Sequence, residues 1–209
     1  MPAQARILIE VPALERFVRA RSEPYGEFSL EHIQYFSRQS LVRLMSALGY
    51  QPLAISIVAL DDAGACDSLF GLFARSKCHG EIVAAEAKNS MIEYLARSRR
   101  DMERMLRTLM KTAPPTFAIY GAGSHSARLL PALSERGLLD RVNLIADGNP
   151  NLQGKLLSRF SILPPQALDD DPSLPVLISS HRAQAAIAAA LQGRQPRRPL
   201  LKLYPVDAR

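Results

Sequence analysis

The run Phe117-Ala-Ile-Tyr-Gly121-Ala-Gly123-Ser-His125-Ser-Ala-Arg128-Leu-Leu decides how this chain folds. An apolar strand runs into a Gly-x-Gly turn, and a helical pattern opens directly behind it. Such a unit presents bare backbone N–H groups and the positive end of a helix to an anion. Gly121 and Gly123 let the backbone approach a ligand closely, and Ser124 offers both a hydroxyl and a helix cap. His125 and Arg128, on the first helical turn, are placed to neutralise a phosphate. Ser126 stands where a dinucleotide-binding fingerprint carries its third glycine, so the run points to a nucleotide-like anion more firmly than to NAD. The competing account is that these small residues serve helix–sheet packing alone.

Downstream, the pattern continues as α/β alternation. Strand 116–121, helix 124–136 and strand 142–147 lead into a polar loop, followed by strand 175–180, helix 181–192 and a last strand at 200–204. The expected fold is α/β, with a small open parallel, Rossmann-like sheet of about four strands. Asp147 ends the second strand, near where an acidic residue reaches a ribose hydroxyl. In the loop behind it, Asn149 and Gln153 suit hydrogen bonds to a sugar or base, or equally the Asx turns that such a loop needs beside Pro150. His181 and Arg182 open the last helix, where a cation opposes the helix dipole and so hints at anion contact. Asp169-Asp170-Asp171 precedes Pro172 and reads as a loop, and no metal site is expected.

Upstream, residues 6–11 read as a short buried strand and 13–21 as a short helical segment. A helix over 38–48 is framed by Ser37 as N-cap and Gly49 as stop. Leu53–Leu60 and Ser68–Arg75 flank Asp-Asp-Ala-Gly-Ala as a hairpin. One long helical pattern covers 81–111. In it Met91, Leu95, Ser98, Met102, Met105 and Leu109 recur at alternating spacings of four and three. That seam over 91–109 suits a helix lying across its own domain, or a connecting helix that pairs with a second copy or a partner chain. Pro114-Pro115 closes it. The expected organisation is a first subdomain over 1–80, the helix over 81–113 and a ligand-binding domain over 114–209. Glu31-His32 pairs an imidazole with a carboxylate, which suits a general base or a structural hydrogen-bonded pair.

A chain of 209 residues can bury one good core or two small ones. Hydrophobic content of 47% with 22% charged residues excludes wholesale disorder. No apolar stretch approaches the ~20 residues of a membrane span. The first residues lack the apolar core of a signal peptide, so a cytoplasmic location is expected. Cys66 and Cys78 form neither a CxxC pair nor a metal cluster and read as free thiols. The net charge of +6 gathers on Arg97, Arg99, Arg100, Arg104 and Arg107, and on Arg194, Arg197 and Arg198. With aromatics at 6% and Trp absent, a solvated helix face is favoured over a nucleic-acid surface. A basic rim that attracts a small polyanion comes second.

Two sets of motifs carry a family resemblance. Ile-Leu-Ile-Glu-Val-Pro, then Glu31-His32-Ile-Gln-Tyr35-Phe36-Ser-Arg-Gln-Ser40-Leu and Gly49-Tyr50, resemble the closing portion of a class I S-adenosylmethionine-dependent methyltransferase domain. There a late core strand is followed by a Glu-His-x-x-Tyr-Phe segment, a helix and a terminal antiparallel strand pair. Tyr120-Gly-Ala-Gly, Asp147-x-Asn-Pro-x-x-Gln-Gly and Ile162-Leu-Pro-Pro resemble the C-terminal Rossmann-like domain of the nucleotide-sugar C-methyltransferases. The resemblance implies S-adenosylmethionine as cofactor. It makes His32, beside Glu31, the base that removes a proton from the carbon next to a keto group. It also implies a nucleotide-sugar, or a related phosphorylated molecule, held by Gly121, Gly123, Ser124, His125, Arg128, Asp147 and Asn149.

The departures bear on what activity to expect. The family's zinc-binding cysteine cluster and its early glycine-rich cofactor turn have no counterpart, so a complete cofactor pocket is not expected from this chain. A separate polypeptide would supply it, or the chain is truncated, or it no longer transfers methyl groups. Ser29 and Leu30 replace the family's Tyr-His pair, and His125 stands where the family often has a lysine. Two other readings stay open: a non-catalytic sugar-nucleotide binding or interaction module, and an NAD(P)-binding oxidoreductase-like domain.

Overall fold

The strand that carries the glycine turn is the centre of the larger of two sheets. The computed structural model describes residues 5–20, 23–28, 34–59, 67–76, 86–193 and 198–204. The chain divides into two compact units, Met1–Arg99 and Arg100–Arg209. The division falls inside the long helix, which therefore contributes residues to both units.

In the first unit, β1 (Arg6–Pro12) leads into a 3-10 turn at Leu14–Arg19, and α1 (Arg38–Ala47) is followed by β2 (Tyr50–Val58) and β3 (Ser68–Arg75). The three strands form one antiparallel sheet in the order β1-β3-β2, with Leu8 opposite Leu72 and Ile57 opposite Leu69. The expectation of a wholly buried first strand is corrected. Its antiparallel partner comes from later in the chain, and burial alternates along it as a sheet packed on one face requires. Ile7, Ile9 and Val11 pack toward Leu41, Val42 and Met45 of α1, while Leu8 on the other face is 68% exposed. The segment expected as a helix at 13–21 is only the 3-10 turn.

The caps read for α1 are present. The Ser37 hydroxyl accepts the Ser40 backbone N–H (3.1 Å), and the Ser40 hydroxyl accepts that of Ser37 (2.9 Å). Gly49 follows the helix at φ +80°, a conformation open to glycine without a steric cost. The connection between β2 and β3, and with it Cys66, lies outside the described residues, as do Cys78 and His79.

The long helix α2 (Glu86–Thr112) ends before Pro114, as the two prolines require. Of its seam, Ser98, Met102, Met105 and Leu109 are buried within the chain. Leu95 is exposed, because Tyr94 takes the buried position in that turn.

In the second unit, β4 (Phe117–Tyr120), α3 (Ser124–Glu135), β5 (Val142–Ala146), β6 (Leu156–Leu157), β7 (Phe160–Leu163), β8 (Val176–Ile178), α4 (Gln184–Gln192) and β9 (Leu200–Lys202) follow in order. The expected sheet of about four strands is corrected to six, in the order β6-β7-β5-β4-β8-β9. All neighbours are parallel except β6 with β7, a hairpin at the edge that the sequence reading missed. Its turn places Ser158 at φ +57° and carries none of the Asn-Gly or Gly-Gly signals of a tight hairpin. Ala118, Ala146, Val176 and Ile178 form one buried face with Ala188 and Leu191 of α4. On the opposite face Phe117, Ile119, Ile145 and Leu177 are fully buried.

Arg198, expected in an exposed basic cluster, is buried. Its Nη2 donates to the Leu168 carbonyl at 2.9 Å and lies 3.5 Å from Asp169. Among the described residues no helix is long and apolar enough to cross a membrane.

Replacing Ser37 by alanine removes one half of the α1 capping box. Unfolding in urea should show a loss of about 1 kcal/mol, whereas Ser37→Asp, which can still accept the Ser40 N–H, should lose far less.

Candidate functional site

The chain leaves β4 into Gly121 at φ +106°, with its N–H donated to the Ala146 carbonyl of β5 at 2.8 Å. A Cβ at this position would lie 2.8 Å from the Ser179 carbonyl oxygen. Only glycine therefore lets the turn after β4 press against the turn after β8. Strand order reverses at this point, with β5 and β7 on one side of β4 and β8 and β9 on the other. Open α/β sheets bind ligands in the crevice that such a reversal leaves at the carboxyl ends of the strands.

Gly123 serves a different end. It is extended (φ −81°), and a Cβ built on it meets nothing within 4 Å. Gly123, not Ser124, is the residue that caps α3, so the helix starts with no side-chain hydrogen bond to its first turn. The expectation of a capping Ser124 is corrected: it is the first helical residue, exposed beside those N–H groups. Arg128 sits half-buried one turn on.

His125 is 4% exposed. Its Nδ1 lies 2.7 Å from the Ser179 hydroxyl and its Nε2 2.5 Å from the Tyr204 hydroxyl. The Ser126 hydroxyl lies 2.5 Å from the Gly121 carbonyl and 2.7 Å from Ser179 Oγ. Burial, then the neighbouring charges of Arg128 and His181, push the His125 pKa down to about 4. A phosphate-neutralising His125 was expected; instead the imidazole is neutral and engaged on both sides. His181 follows β8, packs edge-on against Tyr204 at 4.7 Å, and encloses an Nδ1 with no hydrogen-bond partner among the described residues. Arg128 and His181 are two basic residues whose charges act on His125.

Asp147 stands at the end of β5, where an acidic residue was expected. Its Oδ2 accepts the Ala122 N–H of the glycine turn at 2.6 Å, and its Oδ1 accepts the Asn149 N–H at 2.7 Å. Asn149 in turn caps the Asn151 N–H at 3.0 Å, and Gln153 donates to the Asp147 carbonyl at 3.0 Å. The Asp147–Gln153 segment therefore folds on its own side chains, and Asp147 ties it to the glycine turn.

Glu31 and His32 lie outside the described residues. The residues flanking them belong to an aromatic cluster in the first unit. Phe28 and Tyr35 pack edge-on at 5.5 Å, and both meet Phe17. Tyr94 of α2 joins Phe17 and Phe28, and its hydroxyl accepts the Glu27 N–H at 2.8 Å. Three residues on, Arg97 donates to the carbonyls of Phe17, Val18 and Ala20 at the end of the 3-10 turn.

Sequence reasoning found the glycine turn but not Ser179, Tyr204 or Gln184. Ser179 carried a weak signal, a small polar residue at the end of a buried strand; Tyr204 and Gln184 carried none. No protein family matches the chain, and no curated protein matches it either.

Two measurements test this geometry. Gly121→Ala combines a strained φ with a backbone clash, and should cost at least about 2 kcal/mol in chemical unfolding. His125 titrates at about 4 when folded and 6.5 when free, so between those values only the unfolded chain takes up its proton. Stability should therefore fall by about 3 kcal/mol as pH drops through that window, and His125→Gln should flatten the slope.

Proposed function

We propose that the second unit binds a phosphorylated small molecule at the reversal crevice, a nucleotide-sugar being the member of that class that the resemblance implies. The observation that carries this reading is the juxtaposition at the crevice. An uncapped helix N-terminus, an open Gly123 and the basic Arg128 and His181 adjoin the one point where strand order reverses. The missing third glycine argues against a dinucleotide. Ser126 occupies its place, and the hydroxyl is buried against the Gly121 carbonyl.

We further propose that the first unit is the closing part of a methyltransferase-like domain. In support, β3 returns antiparallel between β1 and β2 after α1, in line with the strand, helix and terminal strand pair that the resemblance implies. The described residues of that unit do not fit S-adenosylmethionine. Gly26 sits in a tight turn, Gly49 ends a helix, and a Cβ on Gly71 would fall 2.4 Å from the Phe73 ring, so none opens a cofactor cradle. No methyl-transfer step is therefore assigned to this chain by itself. Such chemistry would need a cofactor core from elsewhere, with His32 as base.

Calorimetric titration separates the readings. UDP-glucose or dTDP-glucose should bind, and Gly123→Val, whose Cβ meets nothing within 4 Å, should weaken binding at least about tenfold while costing the fold only about 1 kcal/mol from the poorer N-cap. NAD bound in preference to both, or wild-type affinity retained by Gly123→Val, would contradict this placement.

A further inference from the structure

The hydroxyl and imidazole groups beneath the glycine turn can be ordered by counting protons. A carbonyl oxygen only accepts, so the single Ser126 hydroxyl proton must go to Gly121, 2.5 Å away. Ser179 then has to donate to Ser126, across 2.7 Å. With its own proton committed, Ser179 must accept from His125, across 2.7 Å, which places the imidazole proton on Nδ1. Nε2 is left as an acceptor, and the Tyr204 hydroxyl donates to it. The chain runs one way: Tyr204 to His125 to Ser179 to Ser126 to the Gly121 carbonyl.

Both ends of this chain are fixed. Gln184, 4% exposed at the start of α4, donates from Nε2 to the Tyr204 carbonyl (2.8 Å) and accepts the Tyr204 N–H on Oε1 (3.0 Å). At the other end, the Gly121–Ala122 peptide is held by its carbonyl through Ser126 and by its N–H through Asp147. One peptide plane is thus gripped from both sides, and it is the plane that aims the following Gly123–Ser124 backbone.

We propose that Tyr204 is a positioning residue for the glycine-turn site, acting through His125, Ser179 and Ser126 to set the Gly121–Ala122 peptide. The role rests on the ligand reading above; the direction of the chain does not.

Two experiments on the full chain separate these. A long-range 1H–15N spectrum of the histidines at pH 7 should show His125 protonated at Nδ1 and bare at Nε2. A proton on Nε2 would overturn the chain. Titration with UDP-glucose should show Tyr204→Phe and Ser179→Ala each binding about five- to tenfold more weakly, and the double variant no more weakly than the worse single. Losses that multiply in the double variant, or wild-type affinity in Tyr204→Phe, would overturn the positioning role. If the wild type binds no sugar nucleotide, the ligand reading fails and the positioning role falls with it, while the histidine spectrum still decides the chain.

Discussion

The second unit depends on one close approach, that of Gly121 to the Ser179 carbonyl. Because no side chain separates them, the turns after β4 and β8 meet directly. That contact brings Ser179 under the first turn of α3, where His125 and Ser126 reach it. A larger residue at 121 would part the turns and strand several buried polar groups, each costly to leave without a partner. The floor of the crevice is thereby closed by hydrogen-bonded backbone and buried side chains.

The first unit is held together differently. Its sheet packs on α1 through Leu41, Val42 and Met45, while the first half of α2 secures the 3-10 turn and the segment after it. Arg97 donates to the carbonyls of Phe17, Val18 and Ala20, the first of which also accepts the Ala20 N–H, and Ser90 donates to that of Glu15, at 2.9 Å. The edge-on rings of Phe17, Phe28, Tyr35 and Tyr94 pack together beside that turn.

Local chemistry made much of this legible. Ser37 and Gly49 framed α1, Pro114 closed α2, and the run from Phe117 placed the central strand, turn and helix within a residue of where they stand. What local chemistry could not show was pairing over distance. The β6–β7 hairpin turns on a serine in the left-handed region, and its strands are too short to show a period. His125 read as a cation because it opens a helix beside an arginine. Its neutrality comes first from burial, then from the charges of Arg128 and His181, and its hydrogen-bond partners Ser179 and Tyr204 lie far along the chain. Leu95 kept the heptad spacing but lost the buried place to Tyr94, whose hydroxyl and ring have partners in the first unit.

The central claim is that the strand-order reversal beside Gly121 is where a phosphorylated ligand sits. The most direct test is to add UDP-glucose to the 15N-labelled protein and follow its backbone amides. The account predicts shifts centred on Gly123, Ser124 and His125, reaching Arg128 and His181. Shifts centred in the first unit, or on the β6–β7 edge of the sheet, would contradict it.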